Sequence, residues 1–416
     1  MRKLTVAMSA MLLAAITGTS AMAQQDVTLT VSRWSGQSAD AQAELMKRFT
    51  EETGIKVNLD AVDWSQLKQK QVSSLSGETG QYDLVMVHDT WLKEYVTSGY
   101  LHPVDEFLTD QKYIGPDFDI SDFAKDMING ATVDGKFYGL PTNPAVAIFV
   151  YNKEMLDAEG IAPPKNWSEL VAAAKHFSEK GTGVALPAQQ AGAPVEIWAS
   201  LMRSLGGDYF TADGKLNIAS KEAIQAATMW KELNQYAVRG SNNWHWGDTN
   251  KQIQLGDSPM AIVLSGIAAD LENHENSRVV GKLGYSAIPA PDGKKPYGVM
   301  NFFCWCVAAN SPHKAEAFQL SGWLTSKAQL TRLNLEIMPE IGGRTSVSKN
   351  PEIVAKLGFL GAVGEALATS GTLPSDPNAP KVNDRIGAAL SAIVVNDADP
   401  KAEFEAARAD LAPLYP

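Results

Sequence analysis

The chain has 416 residues, 45% of them hydrophobic, and a formal net charge of −11. That length suits two domains of ordinary size. The acidic balance argues against nucleic acid as a partner, because phosphate binding needs a basic patch. Cys304 and Cys306, the only cysteines, argue against a disulfide framework.

The N-terminus carries Arg2 and Lys3, an apolar run from Leu4 to Ile16, and small residues ending in Ala21-Met22-Ala23. A basic start, a short apolar stretch and an A-x-A site predict a secretory signal peptide over residues 1–23. The run is too short and interrupted to span a membrane, and no later segment is apolar for the ~20 residues required. The mature chain is therefore expected to work outside the cytoplasm, without cytosolic nucleotides.

Val27 to Val31 alternates β-branched and polar residues and predicts a strand. Asp40 to Thr53 predicts a helix, with Leu45, Met46 and Phe49 at helical spacing and Gly54 as its stop. Ile55 to Leu59 is the next strand, followed by Asp63-Trp64 and a polar helix from Ser65 to Leu75. Tyr82 to Val87 is an apolar strand of the buried kind, and a helix starts at His88-Asp89-Thr90-Trp91. Alternating strands and helices imply a parallel sheet covered on both faces. Ligands of such sheets bind beyond the carboxyl ends of the strands.

The second half repeats the style. Gly139 to Pro144 reads as punctuation before a strand at Ala147 to Tyr151. Helices are expected at Glu169 to Lys180, Val195 to Leu205 and Ser220 to Tyr236. Strands are expected at Val184 to Pro187, Met260 to Leu264 and Leu283 to Ile288. Cys304 and Cys306 lie two apart on a strand-like run, at or beyond ordinary disulfide reach, so two buried thiols are expected.

The order of these segments resembles the extracellular solute-binding proteins of family 1, the maltose-binding-protein-like receptors of ABC importers. The likeness lies in Phe49 to Val57, in Tyr82-Asp83-Leu84-Val85 with Ser98 to Leu101, and in Gly139-Leu140-Pro141 with Tyr151 to Leu156. Pro164 to Leu170 resembles the family's P-x-T-W-x-E-L segment, with Asn166 for the usual Thr, and Gly256 to Ile262 its G-x-x-A-M strand, with Pro259 for Ala. The resemblance implies an α/β, two-lobe periplasmic binding protein fold of type II-like architecture, mainly parallel sheets flanked by helices. Lobe 1 would hold residues 24–140 plus 291–341, and lobe 2 residues 141–290 plus 342–416. Hinges are expected at Leu140 to Asn143 and Pro289 to Pro291. The family would capture a mono- or disaccharide, polyol or small glycoside and deliver it to inner-membrane permease subunits. A monomer is expected, with no cofactor and no metal. The run Asn301 to Val307 departs from the family's G-G-W-x-L strand.

Sugars present hydroxyls at their edges and C–H patches on their faces, so their sites need aromatic platforms and bidentate polar groups. Trp34, Trp64, Trp91, Trp198, Trp244 and Trp246 fall near predicted cleft loops, and about half are expected in the core. Trp244 and Trp246 are favoured because they sit in a polar, non-periodic run. Asp89, beside His88, follows a buried strand; ligand contact and helix capping are its two readings. Asp63 has the same two readings beside Trp64, and Gln37 could cap or bind. Asn143, Gln189, Gln190, Ser265, Gly266, Asn301 and Phe302 complete the candidates at strand ends and crossings. Arg344, in a segment like the family's G-x-P-x-R-x-S without its proline, is a candidate for bidentate contact. The alternative is a hinge salt bridge. Were Arg344 to face an anion, with Arg33 and His88 as further donors, an anionic or sulfonated sugar would fit.

Two rivals remain. A secreted glycoside-processing hydrolase would also carry cleft tryptophans and carboxylates, although no GxSxG, HExxH or phosphate-loop motif is present. A receptor for an inorganic anion or metal fits the bunched tryptophans poorly.

Overall fold

The computed structural model describes residues 27–415 except 79, 116, 117, 191 and 339. The expected signal peptide lies outside the described residues. The strands are β1 (Thr28–Trp34), β2 (Lys56–Val62), β3 (Leu84–His88), β4 (Thr132–Val133), β5 (Lys136–Phe137), β6 (Gly139–Asn152), β7 (Val184–Ala185), β8 (Met260–Leu264), β9 (Leu283–Ala287), β10 (Gly298–Val307) and β11 (Ser370–Gly371). The first nine α-helices are α1 (Gln37–Thr53), α2 (Trp64–Leu75), α3 (Asp89–Thr97), α4 (Lys125–Gly130), α5 (Lys153–Ala158), α6 (Trp167–Glu179), α7 (Gly192–Ser204), α8 (Lys221–Asn234) and α9 (Trp246–Leu255).

The opening units form as their patterns dictate. Leu45, Met46 and Phe49 bury one face of α1, each worth ~1.5–3 kcal/mol relative to exposure. The helix stops at Gly54, whose left-handed φ of 78° lets its N–H return to the Thr50 carbonyl. β1 pairs in parallel with β2 on one side and β3 on the other. Their buried residues join β10 and helix 314–324 in one core containing Val31, Leu84 to Val87, Phe302, Cys304 to Val307 and Phe318.

A second body of core surrounds β6, β8 and β9, with Phe149, Trp198, Trp230 and Ile262 on one side of the sheet. On the other side lie Ile148, Val263, Leu283 and Phe359. Long strands β6 and β10 connect the two bodies. They pair antiparallel, and their register shifts between Asn301 and Phe303. Leu140 of β6 lies in the first core and Phe149 in the second. Val299 of β10 lies in the second core and Met300 in the first. The sheet order is therefore β2-β1-β3-β10-β6-β8-β7, with β9 and β11 paired to β6 and β10. Parallel pairing holds within the opening units and at β7–β8, while the connecting strands run antiparallel.

One local expectation changes. Gly139 to Pro144 is not a break but the first half of β6, where Pro141 and Leu140 pair with Cys304 and Trp305. Beside Pro289 to Pro291, Trp167 N–H donates to the Ala290 carbonyl and Ser168 donates to Asp292. Cys304 and Cys306 are free, buried thiols. Burial pushes the Cys304 thiol well above its ordinary value, so it packs as a small apolar group.

Candidate ligand-binding site

The register of the central strands assembles one row of residues. His88, the last residue of β3, is opposite Phe303 of β10, which is opposite Thr142 of β6. Trp34 ends β1 beside them. Phe303 touches both rings, with centroids 5.0 Å from His88 and 6.3 Å from Trp34. Trp64, first residue of α2, stacks on Trp91 of α3 at 4.9 Å and 22°. Trp64 also meets His88 and Phe303 edge-on, at 5.6 and 5.9 Å. Its side chain remains 47% exposed, which leaves an apolar ring face available to a partner.

Two polar groups flank this aromatic patch. In the first, Asp89 opens α3 and is buried. Its Oδ1 is 2.9 Å from His88 Nδ1, yet the two are not aligned as a hydrogen bond and the oxygen has no hydrogen-bond partner. His88 Nδ1 is within reach of the Thr90 hydroxyl instead, at 2.9 Å. Glu196 of α7 approaches Asp89 from the second core, with Asn301 beside it. Burial first, and the charge of Asp89 second, push the Glu196 carboxyl up to about 8. Glu196 Oε2 is also buried and unpartnered.

In the second group, the Arg33 guanidinium is buried and donates to Trp34 O, Ser38 O and Ser38 Oγ at 3.2, 2.9 and 2.8 Å. Glu340 faces it. Burial raises the Glu340 carboxyl, opposed by Arg33 and then by Ser38, Asn143 and Gln42 nearby. None of these is aligned to bond either Glu340 oxygen. Asn143 holds a left-handed φ of 46° and takes a hydrogen bond from the Thr142 hydroxyl. Gln42 Oε1 and Trp34 Nε1 are likewise buried without partners. The unpartnered atoms around the row are thus the acceptors Gln42 Oε1, Asp89 Oδ1, Glu196 Oε2 and both Glu340 oxygens, with one donor, Trp34 Nε1.

The row therefore collects His88, Asp89, Trp64, Asn143 and Asn301 from the sequence candidates. Other candidates lie elsewhere or are engaged otherwise. Asp63 is exposed and caps α2, accepting from Ser65 N and Oγ at 3.0 and 2.5 Å. Gln37 is the first residue of α1, and its side chain lies outside the described residues. Ser265 Oγ is buried on the Val146 N–H at 3.0 Å, pinning β6 where it leaves the first core. Gly266 is exposed next to it, with Ala145 close by. Gln189 and Gln190 are exposed, and Gln189 N–H donates to the Trp244 carbonyl. Trp244 itself packs on the second body's core.

Three candidates point into the interior. Trp246 is 5% exposed within the second core, because the polar run before it winds directly into α9. Phe302 is buried in the first core; its neighbour Phe303 faces the row instead, as strand alternation requires. Arg344 donates to Thr325 O and Asp119 O, pairs with Asp122 at 3.4 Å, and lies over the rings of Phe118 and Phe123 at 4.6 and 4.4 Å. The preceding Gly343 permits this, since a Cβ there would stand 2.7 Å from the Pro141 carbonyl. Glu196, Glu340 and Gln42 were missed: each reads in isolation as an ordinary helix or loop polar residue.

Among the described residues no group of three or more His, Cys, Asp or Glu could hold a metal ion. A recess of about 440 Å³ on the second body, lined by Trp167, Lys221, Glu222, Glu232 and Asp292, contains none of the row.

Two cores joined by paired crossing strands, with aromatic rings and buried acceptors where they meet, define a two-lobe binding protein. The chain belongs to the bacterial extracellular solute-binding protein family, whose sequence model matches residues 35–331. A probable amino-acid ABC transporter periplasmic-binding protein of Sinorhizobium fredii is 28% identical over 336 residues, 77% of this chain and 73% of that protein. A solute-binding protein of Agrobacterium radiobacter K84, solved with ribitol, shares the fold at TM-score 0.81 and 24% identity, covering 94% of this chain and 99% of that one. Maltose-bound MalE3 of T. maritima does so at TM-score 0.83 and 20% identity, covering 93% and 100%.

Proposed function

We propose that the chain is the periplasmic receptor of an ABC importer, taking a polyol, a mono- or disaccharide or a small glycoside. The observation that carries this is the row itself: buried oxygens of Asp89, Glu196, Glu340 and Gln42 without hydrogen-bond partners, around a run of rings that includes the half-exposed Trp64. Hydroxyls donate to such oxygens, and C–H faces rest on such rings. The ribitol and maltose bound to the two structural relatives support the same class. An amino acid, as the Sinorhizobium relative's name carries, needs a cation for its carboxylate. Arg33 and Arg344 both donate within the protein instead.

Lobe 1 is taken as residues 24–140 plus 291–341 and lobe 2 as 141–290 plus 342–416; the first core supports this for residues 27–140, whereas Val299, Leu330 and Ile341 pack with the second body. The change of core between Val299 and Met300 moves the second crossing onto β10. Ligand closes the lobes by binding the closed state more tightly, and a monomer delivers it to permease subunits without chemistry.

A thermal-shift panel of polyols, sugars and amino acids tests the ligand class, since a bound ligand raises Tm by mass action. Stabilisation by polyols or sugars is expected; stabilisation by amino acids alone would overturn it. Labelled glycosides should be recovered intact, whereas turnover would turn the reading to the hydrolase. Small-angle scattering should show a smaller radius of gyration at saturation.

A further inference from the structure

Resting on the receptor reading above, we propose that the ligand is a polyhydroxyl compound bearing a protonated amine, held between Asp89 of one lobe and Glu196 of the other. Anionic sugars are rejected by the same site.

The argument is one of charge and donors. Three carboxyl groups, Asp89, Glu196 and Glu340, meet around the aromatic row. Only one guanidinium, Arg33, stands against them, and its donors already reach Trp34 O, Ser38 O and Ser38 Oγ. Arg344, the other arginine expected here, is engaged with Thr325, Asp119 and Asp122. A ligand carboxylate, phosphate or sulfonate would thus meet three carboxyl groups, with only the His88 imidazole, 2.9 Å from Asp89 Oδ1 and within reach of the Thr90 hydroxyl, beside them. An ammonium brings three donors and no acceptor. It would satisfy Asp89 Oδ1 and Glu196 Oε2, two buried oxygens without hydrogen-bond partners on carboxyl groups near enough to feel each other's charge.

Two neighbouring carboxyls in a buried setting cannot both ionise cheaply; one keeps its proton or a cation arrives. The titratable group acting on Glu196 from the first lobe is Asp89, with the neutral Asn301 beside it. From its own lobe the Tyr209 phenol is near. Arg203, two turns further along α7, is tied to Asp208 and the Thr372 carbonyl. Near neutral pH Glu196 therefore carries a proton beside Asp89. When the ammonium binds, Glu196 ionises and that proton leaves to solvent, so charge and protons balance.

The test uses matched compounds differing at one carbon: D-glucitol, 1-amino-1-deoxy-D-glucitol and D-gluconate. A second set is D-glucose, D-glucosamine and D-glucuronate. Calorimetric titration of the mature protein at pH 7 should give the amine at least tenfold tighter affinity than its neutral parent, and the acid at least tenfold weaker. Repeating the amine titration in buffers of different ionisation enthalpy should reveal proton release, which Glu196→Gln abolishes together with the preference for the amine over its neutral parent. An acid that binds as well as its parent, or an amine that binds no better, overturns the proposal and leaves the receptor reading intact. If neither set binds, native mass spectrometry of the co-purified ligand decides: a basic nitrogen among hydroxyls supports it, and a neutral or acidic composition overturns it. If no sugar, polyol or amino derivative binds by any method, the receptor reading itself fails.

Discussion

Trp64 and Trp246 occupy the same local position, each the first residue of a helix after a polar turn. One is 47% exposed and the other 5%. The difference lies in what each helix covers. α2 follows β2, the edge strand of the sheet, and its first turn projects past the strand ends toward Trp91 and Phe303. α9 leads into β8, an interior strand, and its first turn seats Trp246 in the core with Met260 and Ile262. Of these two tryptophans at helix starts, the one that stays exposed is the one where the sheet beneath it runs out.

The sharpest way to break this comparison is to truncate both rings. Trp246→Ala should cost ~3–5 kcal/mol of stability through the cavity left behind. Ligand affinity of the protein that remains folded should be unchanged. Denaturant unfolding beside calorimetric titration separates the two quantities; a stable variant with weakened binding would return Trp246 to the site.

Arg344 offers the next largest effect. Arg344→Ala removes bonds to Thr325 O and Asp119 O, the pairing with Asp122 and the cover over two phenylalanine rings. Removing one member of a buried charge pair costs ~3 kcal/mol or more. The loss should appear in the apo melt. A normal apo melt with tenfold weaker binding would show that the guanidinium faces ligand.

Glu196 makes the contrast between a pairing charge and a site charge visible in pH. Its carboxyl moves from an ordinary 4.5 to about 8 in the folded protein, chiefly by burial. Between those values the folded state holds a proton that the unfolded chain has released. Stability must then fall as pH rises across that window, the reverse of an ion-paired carboxylate. Apo melts from pH 4.5 to 8.5 should show this decline, and Glu196→Gln should flatten it. An equal slope in both proteins would place the carboxyl in solvent.

Trp64→Ala completes the pair opened by Trp246. The half-exposed ring stacks on Trp91 and meets His88 and Phe303, so the apo melt should fall modestly, by less than for Trp246→Ala. Loss of a ring face under ligand should weaken binding by ~1–2 kcal/mol, roughly tenfold. Unchanged affinity would remove the platform from the site.

How far these contrasts were legible beforehand follows from their range in sequence. The opening β-α-β-α-β order, the stop at Gly54 and strand β8 depend on local periodicity, and the chain showed them. His88, Asp89 and Trp64 were visible because strand ends of an α/β sheet converge on one side. β6 was misread at its start because Pro141 and Pro144 look like breakers. Pro144 falls where the pairing with β10 changes register, and Pro141 pairs opposite Cys304. Glu196 sits among Val195, Ile197 and Trp198 in an apolar helix, with nothing local to mark it as a partner of Asp89. Glu340 acquires meaning only when the fold sets it against Arg33, some 300 residues away (residue 33 to residue 340). The fold was written in periods; the acceptor groups were written in contacts between distant segments.

The smallest expected effect is the most discriminating between two aspartates that the chain presents alike. Asp63 and Asp89 each follow a strand of the first lobe and each sits at the start of a helix. Asp63 is solvent-exposed, and its Oδ1 already accepts from the Ser65 hydroxyl and N–H, which hold its carboxyl below the ordinary range. Asp89 is buried, and its Oδ1 has no hydrogen-bond partner. A capping carboxylate stabilises its helix and has little left to offer a ligand. Asp63→Ala should therefore lower Tm by roughly one to two degrees, Asp63→Asn should restore most of it, and neither should shift affinity. Asp89→Asn should do the opposite: it keeps the shape, presents an amide where the ligand expects an acceptor, and should weaken binding about tenfold or more. Were Asp63→Ala to weaken binding as much as Asp89→Asn, the edge of the sheet would belong to the site, and the ligand would extend beyond the Trp64 ring toward the start of α2.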